Sequence, residues 1–400
     1  MMSRAVLLPP AARLSGFYAT IFFVTGIQLP FWPLWLAGRG LTAREIGLLL
    51  AAAIWAKVLV TPAIGAIADR LTSHRAVAVA LAATALAAFA GLWSMTGFWP
   101  FVLLNLVGFA AQSALMPLGE TVTLAVVRSG RLDYGRIRVW GSISFILASV
   151  VGGCVLASAA ADSVLFLVLG GSTLVLLVCL GIPQIRRPMD GPDRLSAIRA
   201  VGRNLKFWKF VAAASALQAS HQVYYGFATL YWRSLGLSET TIGLLWAEGV
   251  LAEILLFWHS RHLLARLGPV GLMMLGGAAG ILRWSLTGEL TSLPAIGTLQ
   301  LLHAFTFGAS HLGAMHWLSR AVPRSAAASA QSLYAAVSAG LGGGVVMIAA
   351  GALYAAFAGR AFLFMALLSA AGLMAAARLG RAAAEAPEPE RSPRVDYGGE

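Results

Sequence analysis

The sequence predicts an all-α membrane protein in which twelve transmembrane helices form two bundles, and three observations lead to this fold class. Of the 400 residues, 59% are hydrophobic and only 11% are charged, whereas about a quarter of the residues of a soluble globular domain are charged. The apolar residues fall into twelve runs, each near the roughly 20 residues that a helix needs to cross a bilayer. The longest polar interval lies between the sixth and seventh runs, so the chain divides into two sets of six.

Charged residues, glycines and prolines bound each run and give the predicted helix limits in order. The first six runs cover about 14–36, 45–68, 76–96, 99–127, 137–158 and 163–184. The last six cover about 208–232, 240–260, 269–288, 293–318, 326–352 and 359–379. We therefore expect a six-helix bundle over 1–184, a basic cytoplasmic linker over 185–207 and a second bundle over 208–380. The polar, Pro-rich tail, 381–400, is expected to be disordered.

The net charge of +13 reflects topology rather than nucleic-acid binding, because the basic residues lie in short gaps and form no single patch. One set of alternating loops contains only Arg39, Arg44, Arg233 and Arg360. Most other Lys and Arg residues lie in the opposite loops, the linker and both termini. Since positively charged loops stay cytoplasmic, we expect a multi-pass inner-membrane protein with both termini in the cytoplasm.

Several classes of site are excluded by the residues available. Cys154 and Cys179 both lie inside apolar runs, so neither a disulfide framework nor a C-x-x-C site is formed. Gly340, Gly342, Gly343 and Gly344 are not followed by Lys and Ser or Thr, so they predict close helix contact or a kink rather than a phosphate loop. The metalloprotease, Walker and nucleophile-elbow motifs are missing. We expect no catalytic residue, no metal and no cofactor.

The loop between the second and third runs carries the most informative motif. It reads Gly65-Ala-Ile-Ala-Asp69-Arg70-Leu-Thr-Ser-His-Arg75. This resembles the signature loop of the major facilitator superfamily, with Thr72 where that family usually has glycine. The resemblance implies the superfamily fold and a gating role for Gly65, Asp69, Arg70 and Arg75. Gly65 would let two helices approach closely, and Asp69 would accept from a neighbouring helix terminus or arginine.

Ionisable side chains inside the runs are functional candidates, because each costs about 2.5–3.5 kcal/mol to place in a bilayer. They are Lys57, Glu120, Arg138, His221, Glu248, Glu253, Arg283, His303 and His311. Acids, cations and imidazoles occur together in this set. We therefore expect a proton pathway beside an anion site.

Two pairs in this set resemble those of lactose permease relatives. Glu120 precedes Arg138, and Arg283 precedes His303, by the intervals that separate the sugar-binding and proton-coupling pairs of that permease. The resemblance to lactose permease ends at Thr306. In that permease a carboxylate should follow the histidine by three residues, and here Thr306 stands in that position after His303. Proton coupling must then rest on another acid, and Glu253 is our first choice because it lies well inside the eighth run.

Other segments resemble the bacterial phenylpropionate permease group of the superfamily. They are Pro30-Phe31-Trp32-Pro33, Ser220-His221-Gln-Val-Tyr224-Tyr225-Gly-Phe and Leu302-His303-Ala-Phe-Thr306-Phe307. This resemblance implies a secondary transporter that imports a small aromatic carboxylate with a proton by alternating access, using the proton gradient as its energy source. We expect the small-molecule substrate and the bilayer to be its partners, and the monomer to be the working unit.

The roles expected from these resemblances divide the site residues into two sets. Substrate binding is expected of Lys57, Glu120, Arg138, His221, Tyr224 and Tyr225. Proton coupling is expected of Glu253, Arg283 and His303. Three alternatives stay open: a proton symporter of sugars or nucleosides, an exporter of amphipathic compounds, and a ligand sensor on a transporter fold. A membrane-embedded enzyme is the weakest, since no nucleophile, base or metal set is visible.

Overall fold

The computed structural model describes residues 9–71, 73–129, 132–184, 194–323 and 326–384, which are almost entirely helical. The N-terminal half contains α1 (Pro10–Gly38), α2 (Ala43–Leu71), α3 (His74–Gly91), α4 (Phe98–Ser129), α5 (Tyr134–Ser158) and α6 (Ser163–Gly181). The short α7 (Arg194–Gly202) lies in the predicted linker. The C-terminal half contains α8 (Leu205–Ala219), α9 (Gln222–Ser234), α10 (Glu239–Trp258), α11 (Ser260–Thr287), α12 (Leu293–Leu301), α13 (Ser310–Ala321), α14 (Ala327–Ala335), α15 (Gly343–Phe357) and α16 (Phe362–Ala384).

Nine helical segments of the described chain are long and apolar enough to cross a membrane. One of them, Ser329–Arg381, contains two of the predicted runs. The stretches 205–234 and 293–321 coincide with the predicted seventh and tenth runs, but each is interrupted and so is not one long helix. The chain is a multi-pass helical membrane protein, and the number of twelve crossings stays a prediction. Of the predicted tail, 385–400 lies outside the described residues.

Side chains outside the bilayer runs fix where several helices begin and end. Thr42 and Glu45 form a reciprocal capping box at the start of α2, in which the Thr42 amide donates to Glu45 over 2.8 Å. Two arginines bind the last carbonyls of α6: Arg13 donates to Gly181 over 3.0 Å and Arg75 donates to Ile182 over 2.7 Å. These contacts satisfy carbonyls that a helix end leaves without partners.

The predicted seventh helix is not continuous, which corrects the expectation of one helix over 208–232. α8 ends at Ala219 and α9 begins at Gln222. Two side chains at the break bind the carbonyl of Leu217: the Ser220 hydroxyl at 2.7 Å and His221 Nδ1 at 3.1 Å. Side chains that compete for backbone carbonyls in this way favour interrupted helices.

The predicted tenth and eleventh helices contain π-helical turns, at Ala304–Ala309 and Ala336–Gly342. A π-helical turn carries an extra residue and often marks a functional site. The first begins directly after His303, and the second leads into the glycines at the start of α15. The first irregular segment therefore follows a predicted proton-coupling residue, and the second contains glycines for which the sequence predicts close helix contact or a kink.

The two halves meet closely at one end of the molecule along two seams. In the seam between α2 and α15, a Cβ placed on Gly47 would lie 2.8 Å from the Cα of Gly351. In the seam between α5 and α10, a Cβ on Gly243 would collide with the carbonyl of Ser149. Only glycine permits such an approach of two backbones. At the other end of α2, a Cβ on Gly65 would have no described residue within 4 Å.

The glycine-rich segment 340–344, at the junction of the second π-helical turn and α15, makes the close contact that was predicted, whereas Gly65 does not. Gly340 and Gly344 face α2, where a Cβ on either would collide with Val58 or Trp55, which confirms close helix contact. The close approach expected at Gly65 is not seen in this structure, because none of the described residues lies within 4 Å of a Cβ there.

Candidate functional site

A buried arginine organises the core of the C-terminal half. Arg283 of α11 is 0% exposed. Its guanidinium donates to Thr306 over 3.0 Å and to Gln300 over 2.7 Å, and lies 3.1 Å from Nδ1 of His303. The rings of Tyr224 and Trp284 lie 4.7 and 4.4 Å from its central carbon. Within the described chain no carboxylate pairs with Arg283, so neutral acceptors and aromatic faces solvate its charge.

This arginine determines the tautomer of His303. A guanidinium has donors and no acceptor, so Nδ1 of His303 accepts from Arg283, and the neutral imidazole carries its hydrogen on Nε2. That Nε2 lies 3.9 Å from Oε2 of Glu253. Glu253 is the more exposed of the two, at 19% of its side chain against 8% for His303. The histidine thus presents a fixed N–H towards the carboxylate.

Glu253 also faces the N-terminal half. Its carboxylate is within electrostatic range of Arg138 on α5, and on its other side it contacts the helix at Gly308. The structure therefore brings Glu253, Arg283 and His303, the three predicted proton-coupling residues, into one cluster. Arg138 connects that cluster to the opposite half.

Arg138 lies among acidic and aromatic groups of α1, α4 and α5. Its Nε is 3.8 Å from Glu120, and the two side chains are 29% and 28% exposed. The Tyr134 hydroxyl donates to the same carboxylate, at 2.9 and 3.0 Å from its oxygens. The guanidinium lies over the ring of Phe22 at 4.2 Å. The pair is loose and accessible, which suits a group that exchanges partners.

Lys57 lies on α2, in the middle of a predicted membrane-spanning run, and its side chain is exposed. It follows Leu50 by seven residues, so the two share one face of α2, and Leu50 lies beside Gly226 of α9. Leu59, on the opposite face, is 75% exposed and marks the outward side. The exposure of Lys57 is therefore to the space between the halves. In the part of the chain that the structure describes, Lys57 has no hydrogen-bond or ion-pair partner.

The three predicted residues of the seventh helix lie in different surroundings. His221 is buried at the helix break, and its Nε2 has no partner among the described residues. Tyr224 is buried, and its hydroxyl accepts from Gln300 over 2.9 Å. Tyr225 is partly buried beside His221, with 5.7 Å between the two rings. Of the three, only Tyr225 is partly open to the space between the halves.

The predicted gating residues do not form one contact. Arg70 is exposed at the end of α2, and Arg75 holds the end of α6. The side chain of Asp69 and the whole of Thr72 lie outside the described residues. The gating role stays a prediction, and the structure adds a helix-end role for Arg75.

Two further ionisable residues of the runs lie near this site. Glu248, one and a half turns before Glu253 in α10, faces Gly297 of α12. His311 stacks on Phe307, which in turn stacks on His303, with ring separations of 5.8 and 5.4 Å. Among the described residues no group of three or more His, Cys, Asp or Glu is placed to hold a metal ion.

Sequence reasoning missed two members of the arginine cluster. Gln300 binds Arg283, Tyr224 and the carbonyl of Leu245, and Trp284 lies against the guanidinium. A signal for Gln300 was available: it precedes His303 by three residues and so shares its helix face. Nothing in the pattern singled out Trp284 from the other tryptophans.

Two helical halves that meet along two seams, with acids and cations near the interface between them, are the arrangement of a membrane transporter. A model of the MFS_1 like family matches residues 11–366. The chain belongs to this family of the major facilitator superfamily. Its members are membrane transporters and not enzymes.

Individual relatives agree with this assignment over most of their length. The chain is 32% identical to a protein of Escherichia coli strain K12 described as a probable 3-phenylpropionic acid transporter, over 88% of this chain and 93% of that protein. It is 26% identical to the maltose permease of Geobacillus stearothermophilus, over 90% and 91%. The crystal structure of the nucleoside transporter NupG superposes with a TM-score of 0.84 at 17% identity, covering 94% of this chain and 100% of that one.

Proposed function

We propose that this protein imports a small aromatic carboxylate together with a proton by alternating access. The observation that carries the proposal is the cluster of Glu253, His303 and Arg283. It contains one accessible carboxylate, which lies 3.9 Å from a histidine whose N–H is fixed in direction by a buried arginine. A carboxylate of this kind can take up a proton from one side of the membrane and release it on the other.

The proximity of Arg138 to Glu253 supports coupling of proton binding to closure of the two halves. Arg138 faces Glu120 at 3.8 Å and is within electrostatic range of Glu253. When Glu253 is charged it attracts Arg138, and when it takes a proton that attraction is lost. Proton binding therefore changes the charge between the halves, which alters the free energy of their closure.

The aromatic character of the substrate is supported by the side chains around the space between the halves. Phe22 lies under Arg138, and Phe307 and Tyr225 lie near His303 and His221 and are partly exposed. The relative from Escherichia coli is described as a probable transporter of 3-phenylpropionic acid. We infer the same substrate class for this chain.

We place the open end, near Gly65, in the cytoplasm, because the positively charged loops lie on that side. The structure then corresponds to an inward-facing state, with the glycine seams closing the periplasmic side. Alternating access requires those seams to open while the cytoplasmic end closes. Both termini are cytoplasmic in this arrangement.

Counterflow in proteoliposomes tests the substrate class. We expect vesicles preloaded with 3-phenylpropionate to take up a labelled tracer of the same acid, and maltose or uridine to leave that uptake unchanged. Maltose and uridine stand for the sugar and nucleoside alternatives that the relatives represent. Counterflow with a sugar or a nucleoside and none with the acid would replace this proposal, and binding without counterflow of any substrate would favour a sensor.

A further inference from the structure

Lys57 is an interior cation that the proton-coupling cluster does not use. It lies on the face of α2 that looks into the space between the halves, and it is exposed there without a partner among the described residues. An ammonium group in a membrane-spanning segment is costly unless a partner or water compensates it. Its position therefore leaves it available to an anionic partner that enters from solution.

Two further polar side chains, one on α2 and one on α9, have no hydrogen-bond partner among the described residues. Thr61 is one helical turn further along the same face of α2, and its hydroxyl is buried without a hydrogen-bond partner in the described chain. Gln222, the first residue of α9, is 8% exposed, and its side-chain amide has no partner among the described residues either. Polar side chains buried to this degree normally have partners.

The glycine-rich segment 340–344, which runs from the second π-helical turn into α15, brings these groups to the same region. Gly340 packs on Val58, the neighbour of Lys57, and three residues later a Cβ on Gly343 would lie 3.4 Å from Nε2 of Gln222. Gly226, one turn beyond Gln222 in α9, lies beside Leu50 on the Lys57 face of α2. Gln222 therefore faces the corner between α2 and α15. Because glycine has no side chain, this corner keeps space for a small group.

The other two interior cations are already engaged. Arg283 is sealed from solvent by Gln300, Thr306 and His303. Arg138 faces Glu120 and lies within range of Glu253. Lys57 differs from both, because it is exposed and no acid of the described chain compensates it.

We propose that Lys57, Thr61 and Gln222 form the subsite for the substrate carboxylate. The ammonium, the hydroxyl and the amide NH₂ supply donors for the two oxygens of one carboxylate. This inference rests on the proposed function and makes it more specific: the carboxylate binds beside the α2–α15 seam, while the proton binds beside the α5–α10 seam. In this arrangement Arg138 belongs to the proton site and not to the carboxylate subsite. The proton and the substrate then act together through closure of the space between the halves.

Binding of an acid and of its neutral amide separates the charge of Lys57 from its packing. The probes are 3-phenylpropionate and 3-phenylpropionamide, with dissociation constants measured by calorimetry on the full chain in nanodiscs. We expect Lys57→Met to weaken binding of the acid about 10- to 100-fold, as for loss of a charged hydrogen bond, and to leave binding of the amide unchanged. Lys209→Met, at an exposed lysine of α8 outside the subsite, is the matched control.

A chemical rescue gives a second readout if Lys57→Met folds poorly. In a chain with Cys154→Ala, Lys57→Cys is modified with 2-aminoethyl methanethiosulfonate, which adds an ammonium, or with the 2-sulfonatoethyl reagent, which adds an anion. We expect the ammonium to restore acid binding and the sulfonate to abolish it. Equal effects of both reagents, or no reaction at position 57, would overturn the subsite.

The outcomes distinguish this inference from the proposed function. Acid binding that survives Lys57→Met but is lost in Arg138→Met overturns the Lys57 subsite and leaves aromatic acid transport in place. Equal loss of acid and amide binding in Lys57→Met assigns the lysine a packing role and also overturns it. If the wild-type chain binds neither probe, the proposed substrate class itself fails.

Discussion

At the scale of single residues, the arrangement of the candidate site depends on which groups compensate the charge of the buried Arg283. Arg283 has three hydrogen-bond acceptors and two aromatic faces but no carboxylate within the described chain. Each acceptor is therefore important, since a buried charged donor that loses its partner is strongly unfavourable. The same contacts orient His303 towards Glu253, which links the stability of the fold to the proposed proton site.

Thr306→Val tests this dependence with almost no change of shape. The valine removes the oxygen that accepts from Arg283 over 3.0 Å, and we expect it to destabilise the protein by about 1–3 kcal/mol. Thr306→Ser keeps the oxygen and is the matched control. Thermal unfolding in detergent measures the difference, and equal melting temperatures for the two variants would show that Thr306 does not support the arginine.

Glu253→Gln tests the assignment of the proton carrier. A glutamine cannot release a proton, so we expect accumulation driven by a proton gradient to be abolished while exchange of substrate across the membrane continues. Glu289→Gln, at an acid that is half exposed and pairs with Arg360, is the matched control. Accumulation at the wild-type level in Glu253→Gln would remove this residue from the mechanism.

Some of these residues could be predicted from the sequence and others could not. Charged side chains inside apolar runs are conspicuous, which is why Lys57, Arg138, Glu253 and Arg283 were candidates from the start. Gln300 and Thr306 carry no charge, and their roles depend on the neighbouring helix that faces them. The absence of an acid beside Arg283 is likewise a property of packing.

At the scale of the helix, the apolar runs predict well where each helix lies, but they do not predict whether the helix is continuous. The run at 45–68 corresponds to α2 (Ala43–Leu71), and the run at 137–158 corresponds to α5 (Tyr134–Ser158). The hydrophobicity of the sequence does not indicate the break before Gln222 or the π-helical turn after His303. Both depend on individual hydrogen bonds, such as that of His221 to the carbonyl of Leu217.

The glycine seams lead to a prediction about helix movement. A Cβ at Gly47 would lie 2.8 Å from the Cα of Gly351, so Gly47→Val should force α2 and α15 apart at the closed end. Spin labels on Leu48→Cys and Phe357→Cys, in a chain with Cys154→Ala, would report a longer separation. We expect a measurable shift in the distance distribution.

The matched control for this wedge is Gly170→Ala, because a Cβ at that position of α6 meets nothing within 4 Å. We expect its distance distribution to equal that of the parent chain. If Gly47→Val gives the same distribution as Gly170→Ala, the seam does not hold the closed end together.

At the scale of the whole molecule, composition and loop charge were enough to predict a multi-pass membrane protein, and the resemblance of the signature loop to the superfamily was needed to predict a transporter. The pairing of the halves was not predictable, because it depends on which glycines of one half face those of the other, as Gly47 faces Gly351. The signature loop predicted a close contact at Gly65, yet none of the described residues packs against that glycine in this structure. A sequence motif does not show which conformational state of a transporter a structure represents.

The central claim is that movement of an aromatic carboxylate is coupled to a proton through the space between the halves. Accumulation of labelled 3-phenylpropionate in proteoliposomes, with an imposed pH gradient and with that gradient collapsed by an ionophore, tests it most directly. We predict uptake above the equilibrium concentration with the gradient and only equilibration without it. Accumulation that does not depend on the gradient, or no entry of the acid under either condition, would contradict the claim.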